Sequence, residues 1–200
     1  MPLPLPLPLL LRTARLLLRP WRPDDAVGLL PVLEANRAHL GPWIPARVAK
    51  PEPIPDLRER LAGFLADFTE ARGWRYGLFT PDETRVLGEV SLFPRAGEGR
   101  VTYGEADHGE IGYWLRADET GHGFVTEAAQ AVLTLAAELP SLRRVEIRCD
   151  ARNGASIAVA QRLGFVHATT VESPSVVPAE PAVALHVWTY ELVRGAAEHR

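Results

Sequence analysis

A single cysteine, Cys149, stands in a chain of 200 residues. One thiol excludes an internal disulfide and any cysteine-cluster zinc site. It suits a reducing compartment, so a cytoplasmic location is expected. Positive charge is not in excess either. Lys and Arg number 22 against 25 Asp and Glu, a formal net charge of −3 with a pI near 6.1. That balance argues against a nucleic-acid partner, which usually meets a basic surface. No apolar run is long enough for a transmembrane helix, so a soluble chain with no membrane partner is expected. The opening MPLPLPLPLL lacks a basic n-region and a small-residue cleavage site, and prolines interrupt it. The six histidines form no H-x-x-x-H pair, so no metal is expected. Neither G-x-x-x-x-G-K-[ST] nor a G-x-G-x-x-G after the first strand occurs, which sets aside phosphate-loop and Rossmann proteins.

What is present centres on residues 110–131, EIGYWLRADETGHGFVTEAAQA. Residues 110–115 are apolar and aromatic and suit a buried strand. From Phe124 the period becomes helical, with Val125, Ala128, Ala129, Val132, Ala136 and Leu139 on one face and Pro140 as the stop. Between them lies Gly121-His122-Gly123. Glycines let backbone approach a ligand closely, and the first turn of a helix offers unpaired N–H groups with partial positive charge. The pair makes a phosphate or pyrophosphate site; the plainer alternative is a glycine turn that merely starts a helix.

The rest reads as mixed α/β with an apolar fraction of 46%, enough for a sizeable core. Residues 1–12 are expected as a flexible Pro/Leu-rich arm, 13–193 as one domain and 194–200 as a tail. Strands are expected at 13–19, 74–80, 86–93, 110–116, 143–149, 165–170 and 183–193. Helices are expected from Pro23, over 56–71, from Phe124 and over 154–163, with Gly164 ending the last. Residues 95–102, rich in Gly and charge, read as a mobile loop.

The turn 118–123, DETGHG, resembles the Gln/Arg-x-x-Gly-x-Gly/Ala signature of the GCN5-related N-acetyltransferases (GNAT), with Asp118 in the leading place. ARLLLRPWRPDDA, HLGPWIPA and the N-x-x-S of CDARNGASIAVAQRLGF are similar to the RimJ/RimL-like ribosomal-protein branch. The resemblance implies a mostly antiparallel seven-stranded sheet with its fourth and fifth strands splayed, flanked by about four helices. It implies acetyl-coenzyme A as co-substrate, held by Tyr113, Trp114, Leu115, Thr120, Gly121, His122, Gly123, Phe124, Asn153 and Ser156. It implies acetyl transfer to a primary amine, a protein N-terminus or a small molecule, in a monomer or homodimer. The other class in view is a non-catalytic acyl-coenzyme A binding module.

Acetyl transfer needs a base for the amine, a donor to the oxyanion and an acid for the thiolate. The resemblance implies a backbone N–H near Trp114 or Leu115 as the donor and Ser156 as the acid. Spacing alone makes Asn153 and Ser156 a helix cap. Glu110 is the first candidate for base and acceptor contact, with Glu172 and His108 behind it and a solvated strand-end carboxylate as the alternative. Trp43 is expected either in the acceptor site or in the core. Cys149 reads as a small buried residue. Gly123→Glu is expected to abolish acetyl-coenzyme A binding; an unchanged affinity by calorimetric titration places the anion site elsewhere.

Overall fold

The computed structural model describes residues 7–178 and 180–192. Among them nine strands form one mixed sheet. They are β1 (Leu11–Arg12), β2 (Leu17–Pro20), β3 (Trp74–Phe79), β4 (Val86–Ala96), β5 (Gly99–Arg100), β6 (His108–Leu115), β7 (Arg144–Asp150), β8 (Val166–Ser173) and β9 (Val183–Glu191). The spatial order is β1-β2-β3-β4-β6-β7-β9-β8, with β5 on β4. Two strands, β1 and β5, are two residues long; the other seven are those read from the sequence. The helices are α1 (Ala26–Ala35), α2 (Arg37–Leu40), α3 (Ala46–Ala49), α4 (Ile54–Thr69), α5 (Phe124–Ala137) and α6 (Gly154–Arg162). Six helices replace the expected four because the GPWIP region closes into single turns, α2 and α3, which no periodicity of so few residues could announce.

Every pairing is antiparallel except β6 with β7. A parallel neighbour needs a crossover, and α5 supplies it. Its apolar stripe is buried as the spacing required, with Ala128, Ala129, Val132 and Ala136 fully covered. A second core lies between α1, α4 and the edge of β2–β4, built on Trp21, Leu33, Leu57 and Leu61.

Two expectations change. Residues 95–102 are not a loop: Arg95–Ala96 pairs with Gly99–Arg100 around a turn with Gly97 at φ +55°. Arg95 is buried, so its charge is spent on ion pairing rather than solvation. The N-terminal arm is packed from Leu7, which is buried in the main core; the Tyr76 hydroxyl donates to the Pro8 carbonyl at 2.8 Å. Residues 1–6 and the tail at 194–200 lie outside the described residues.

Gly88 sets how closely β4 approaches β6. A Cβ there would stand 2.2 Å from the Trp114 carbonyl oxygen, a backbone atom that cannot rotate aside. Gly88→Ala is expected to lower stability by about 1–3 kcal/mol, read as a lower urea midpoint, with the strand carrying Trp114 displaced.

Candidate active site

The site begins where two strands part. β6 is paired with β4 along its whole length, His108 to Leu115, and β7 with β9 along all of Arg144–Asp150. β6 and β7 themselves pair only at Gly109↔Val145 and Glu110↔Glu146. Beyond Glu110 they diverge. In an antiparallel ladder alternate residues turn both backbone groups to the same neighbour. The Arg116 N–H donates to the Leu87 carbonyl at 2.9 Å, so residues 116, 114 and 112 face β4. Ile111, Tyr113 and Leu115 therefore present their amides to the gap. The Leu115 carbonyl there accepts from His39 Nε2 at 3.2 Å. The Trp114 backbone faces β4, while its ring is buried with the second core. The gap opens into a cleft of about 1420 Å³ that runs between the two halves of the sheet.

One mouth of the cleft is the glycine turn. Gly121 and Gly123 hold φ of +82° and +80°, left-handed values that a side chain would strain. The first α-helical bond of α5 runs from the Glu127 N–H to Gly123, which leaves the N–H groups of 123–126 ahead of the ladder. Thr120, Gly121, His122, Gly123 and Phe124 all line the cleft. His122 is exposed, with Nδ1 on the Glu119 carbonyl at 3.3 Å. The Asp118 carboxylate does not line the cleft; Arg116 binds it with two bonds of 2.6 and 2.8 Å, which neutralises that anion beside the glycine turn.

Arg15 braces this turn, and the sequence reading did not single it out. Its guanidinium donates to the His122 carbonyl at 2.9 Å and to Glu127 at 2.7 Å. It also lies over the Phe124 ring at 4.6 Å. Glu127 takes a further bond from the Thr13 hydroxyl. Burial acts to raise the Glu127 carboxyl, but the bonds from Thr13 and Arg15 hold it below its usual range. The brace is thus complete at neutral pH and is lost as pH falls through that depressed value. Only the contact 112 residues away could have revealed it.

The far wall is polar at one point. The Tyr113 hydroxyl lies 2.8 Å from Ser156 Oγ and donates to the Ser156 carbonyl at 3.2 Å. Burial pushes the Tyr113 phenol well above its ordinary value, so it keeps its proton. Asn153 accepts from the Ser156 N–H at 3.1 Å; the cap read from spacing is made, and the Ser156 hydroxyl remains directed to the cleft wall. Cys149 is buried beside it. Burial raises its thiol pKa against opposing bonds to Ser156 and Trp188, which favours the unreactive thiol.

Glu110 lies at the branching point, on the cleft wall opposite the glycine turn. One carboxylate oxygen is 2.6 Å from Arg95 and the other 3.7 Å from Arg100. Trp43, half-buried, also lines the cleft, as do Glu89 and Ser91 of β4. Glu89 is buried and bound by Trp21 Nε1 at 2.7 Å and by Arg75 at 2.5 Å. It is a cleft carboxylate that sequence reading missed, because alternation along β4 does not tell which face the wedge opens on. Two other candidates fall elsewhere. Glu172 is exposed on the edge strand β8. His108 is fully buried between Asp107 and Glu146.

Comparison with known proteins gives this geometry a family. The model of the acetyltransferase (GNAT) domain matches residues 15–166. The chain belongs to the GNAT acetyltransferase family. The GNAT chain is 26% identical over 156 residues to the probable N-acetyltransferase YjcK of Bacillus subtilis (strain 168), covering 78% of this chain and 83% of that one. It is also 26% identical over 156 residues to the [ribosomal protein uS5]-alanine N-acetyltransferase of Escherichia coli (strain K12), covering 78% and 77%. The solved RimL ribosomal L7/L12 alpha-N-protein acetyltransferase in complex with coenzyme A shares the fold, with a TM-score of 0.75 at 21% identity over 92% of this chain and 98% of that one. The activity of this GNAT protein is acetyl transfer from acetyl-coenzyme A to an amine. The residues fit that co-substrate. The turn offers amides to a diphosphate, and the unpaired edge of β6 can take the strand-like part of the molecule. Among the described residues no helix is long and apolar enough to cross a membrane.

Arg15→Ala removes two charged hydrogen bonds that hold the turn; because the Arg15 side chain is exposed, the loss is about 1 kcal/mol, the scale of a surface ion pair. It is expected to weaken acetyl-coenzyme A binding roughly five- to tenfold in a calorimetric titration at neutral pH, a difference from the wild type that shrinks as pH falls through the depressed Glu127 value and the wild type loses the same brace.

Proposed function

We propose that this GNAT protein acetylates the N-terminal α-amine of a peptide or protein by direct attack within a ternary complex. The observation that carries the reading is the parting of β6 and β7 after Glu110, with outward amides on one side and the Tyr113–Ser156 pair on the other. The acetyl thioester supplies an electrophilic carbonyl and a thiolate leaving group. The amides of Tyr113 and Leu115 are preorganised donors for a developing oxyanion, fixed by β4 behind them and so needing no reorganisation. The Ser156 hydroxyl supplies the proton to the departing sulfur. Tyr113, kept protonated by burial, lies 2.8 Å from the Ser156 hydroxyl and stabilises the serine oxygen as its proton leaves. Glu110 takes the amine proton, directly or through water, at the start of the same strand. Cys149 takes no covalent part.

An amine acceptor enters from the opposite mouth, past Trp43 and His39. Three relatives whose printed names specify an acceptor residue on a ribosomal protein support a protein N-terminus. A small-molecule amine is the runner-up. Oligomeric state does not enter the mechanism, since every group named is on one chain.

The experiment is release of free thiol from acetyl-coenzyme A over a panel of short peptides and simple amines. Turnover with a peptide supports the reading; binding without turnover across the panel makes the protein an acyl-coenzyme A binding module. Ser156→Ala is expected to lower kcat by about a hundredfold, the ordinary scale for a lost acid, while acetyl-coenzyme A affinity changes little. Equal rates remove Ser156 from the mechanism. Glu110→Gln should abolish the acid limb of the kcat/KM–pH profile; a surviving limb moves the base to Glu89.

A further inference from the structure

The acceptor half of the cleft is crowded with arginine. Arg47, Arg75, Arg95 and Arg100 line it, with Phe93 between them. Arg75 lies over the Phe93 ring at 4.7 Å and Arg100 over the same ring at 3.6 Å. Two carboxylates face this set, Glu89 on Arg75 at 2.5 Å and Glu110 on Arg95 at 2.6 Å. Those two pairs are complete. Arg100 has only a long contact of 3.7 Å to the already occupied Glu110. Arg47 has no ion-pair partner among the described residues. Glu98, on the β4–β5 turn, does not make up the difference: Arg148 of β7 holds its carboxylate at 2.7 Å.

Three of the arginines, Arg47, Arg75 and Arg100, also line a side pocket of about 520 Å³ that adjoins the cleft. Its other charges are Arg72, Asp67 and Glu105. Arg72 is bound to Asp67 at 2.8 Å, and Glu105 caps the backbone and side chain of Thr102. Arg47 and Arg100 thus lack a close carboxylate partner at the junction of cleft and side pocket, where Glu105, bound only by Thr102, is the one carboxylate without an ion pair among those named. Burial, and then the like charges of Arg75, Arg47 and Arg95, pull the Arg100 guanidinium down to about 10 against the opposing pull of Glu110. Packing like charges this closely costs free energy that an incoming anion recovers.

Resting on the transferase reading, we propose that the acceptor carries an anionic oxygen group, an acidic side chain at its second or third residue, which Arg47 and Arg100 hold while the amine is presented at Glu110. The reach fits. An extended chain advances roughly 3.3–3.6 Å per residue, and Glu110 and Arg100 are in contact. Planar guanidinium forks suit a carboxylate. The same positive field disfavours an ammonium ion and so helps the amine lose its proton.

The test uses the full chain loaded with coenzyme A. Binding of the amidated tripeptides Ala-Asp-Ala, Ala-Ala-Ala and Ala-Lys-Ala is measured by calorimetry, with free aspartate as an arm in which the carboxylate belongs to a small molecule. The acidic peptide is expected to bind at least tenfold more tightly than the neutral one, with the lysine peptide weakest. Arg47→Gln/Arg100→Gln is expected to shrink the acidic preference below about threefold, and Arg47→Gln alone, at an exposed unpaired position, to reduce it in part. Equal binding of acidic and neutral peptides, or a preference that survives the double substitution, overturns the proposal. Tight binding of free aspartate with no preference among the peptides overturns it too, and transfers the anion site to small amino acids. Thiol release is followed with the same ligands. No turnover beside an intact acidic preference defeats the transferase reading and leaves the anion site standing; turnover indifferent to charge does the reverse.

Discussion

The structure depends on one pairing that stops early. β6 and β7 share two residue pairs and then diverge, although each is fully laddered on its other side. Unpaired backbone amides in a protein interior are costly. The open edge of β6 persists because the cleft remains accessible to water, and to a ligand that can pair with it. The gap is not simply slack. Tyr113 reaches across it to Ser156, His39 covers the Leu115 carbonyl, and α5 and α6 stand on the two strands it separates.

Charge is arranged around that gap with a clear division. At the glycine turn the acidic groups are neutralised: Asp118 by Arg116, Glu119 by Arg85, and Glu127 by Arg15. This leaves the α5 amides to act on an anion without a competing carboxylate. Around Glu110 the balance is reversed: Arg47, Arg75, Arg95 and Arg100 exceed the two carboxylates, Glu89 and Glu110, that pair with them. Between the two mouths the wall is neutral and hydrogen-bonded, at Tyr113, Ser156 and Cys149. A low-dielectric centre between two polar mouths strengthens the few dipoles directed into it.

Legibility followed physical range. The strand 110–115, the turn 121–123 and the helix after it are local. Period, glycine and proline spacing specify them without knowledge of the rest, and α5 ended within three residues of Pro140. The cap at Asn153 was likewise readable, because an N-cap bond spans three residues. Arg15 on Glu127, Glu89 in the cleft and Arg100 on Phe93 were not readable, since each depends on which strands become neighbours. The segment 95–102 misled for a related reason. Glycine and charge are ordinary loop signals, and only the burial of Arg95 against Glu110 turns that composition into a hairpin wall.

The amino-acid order alone decided the elements, the motifs that carry the family resemblance and the place of the glycine turn, because all of these are encoded in short stretches of sequence. Only the tertiary structure decided where β6 leaves β7, which carboxylates meet arginine, and which face of β4 opens to the cleft. Those outcomes are set by contacts between residues tens of positions apart, whose energies exist only once the sheet is assembled.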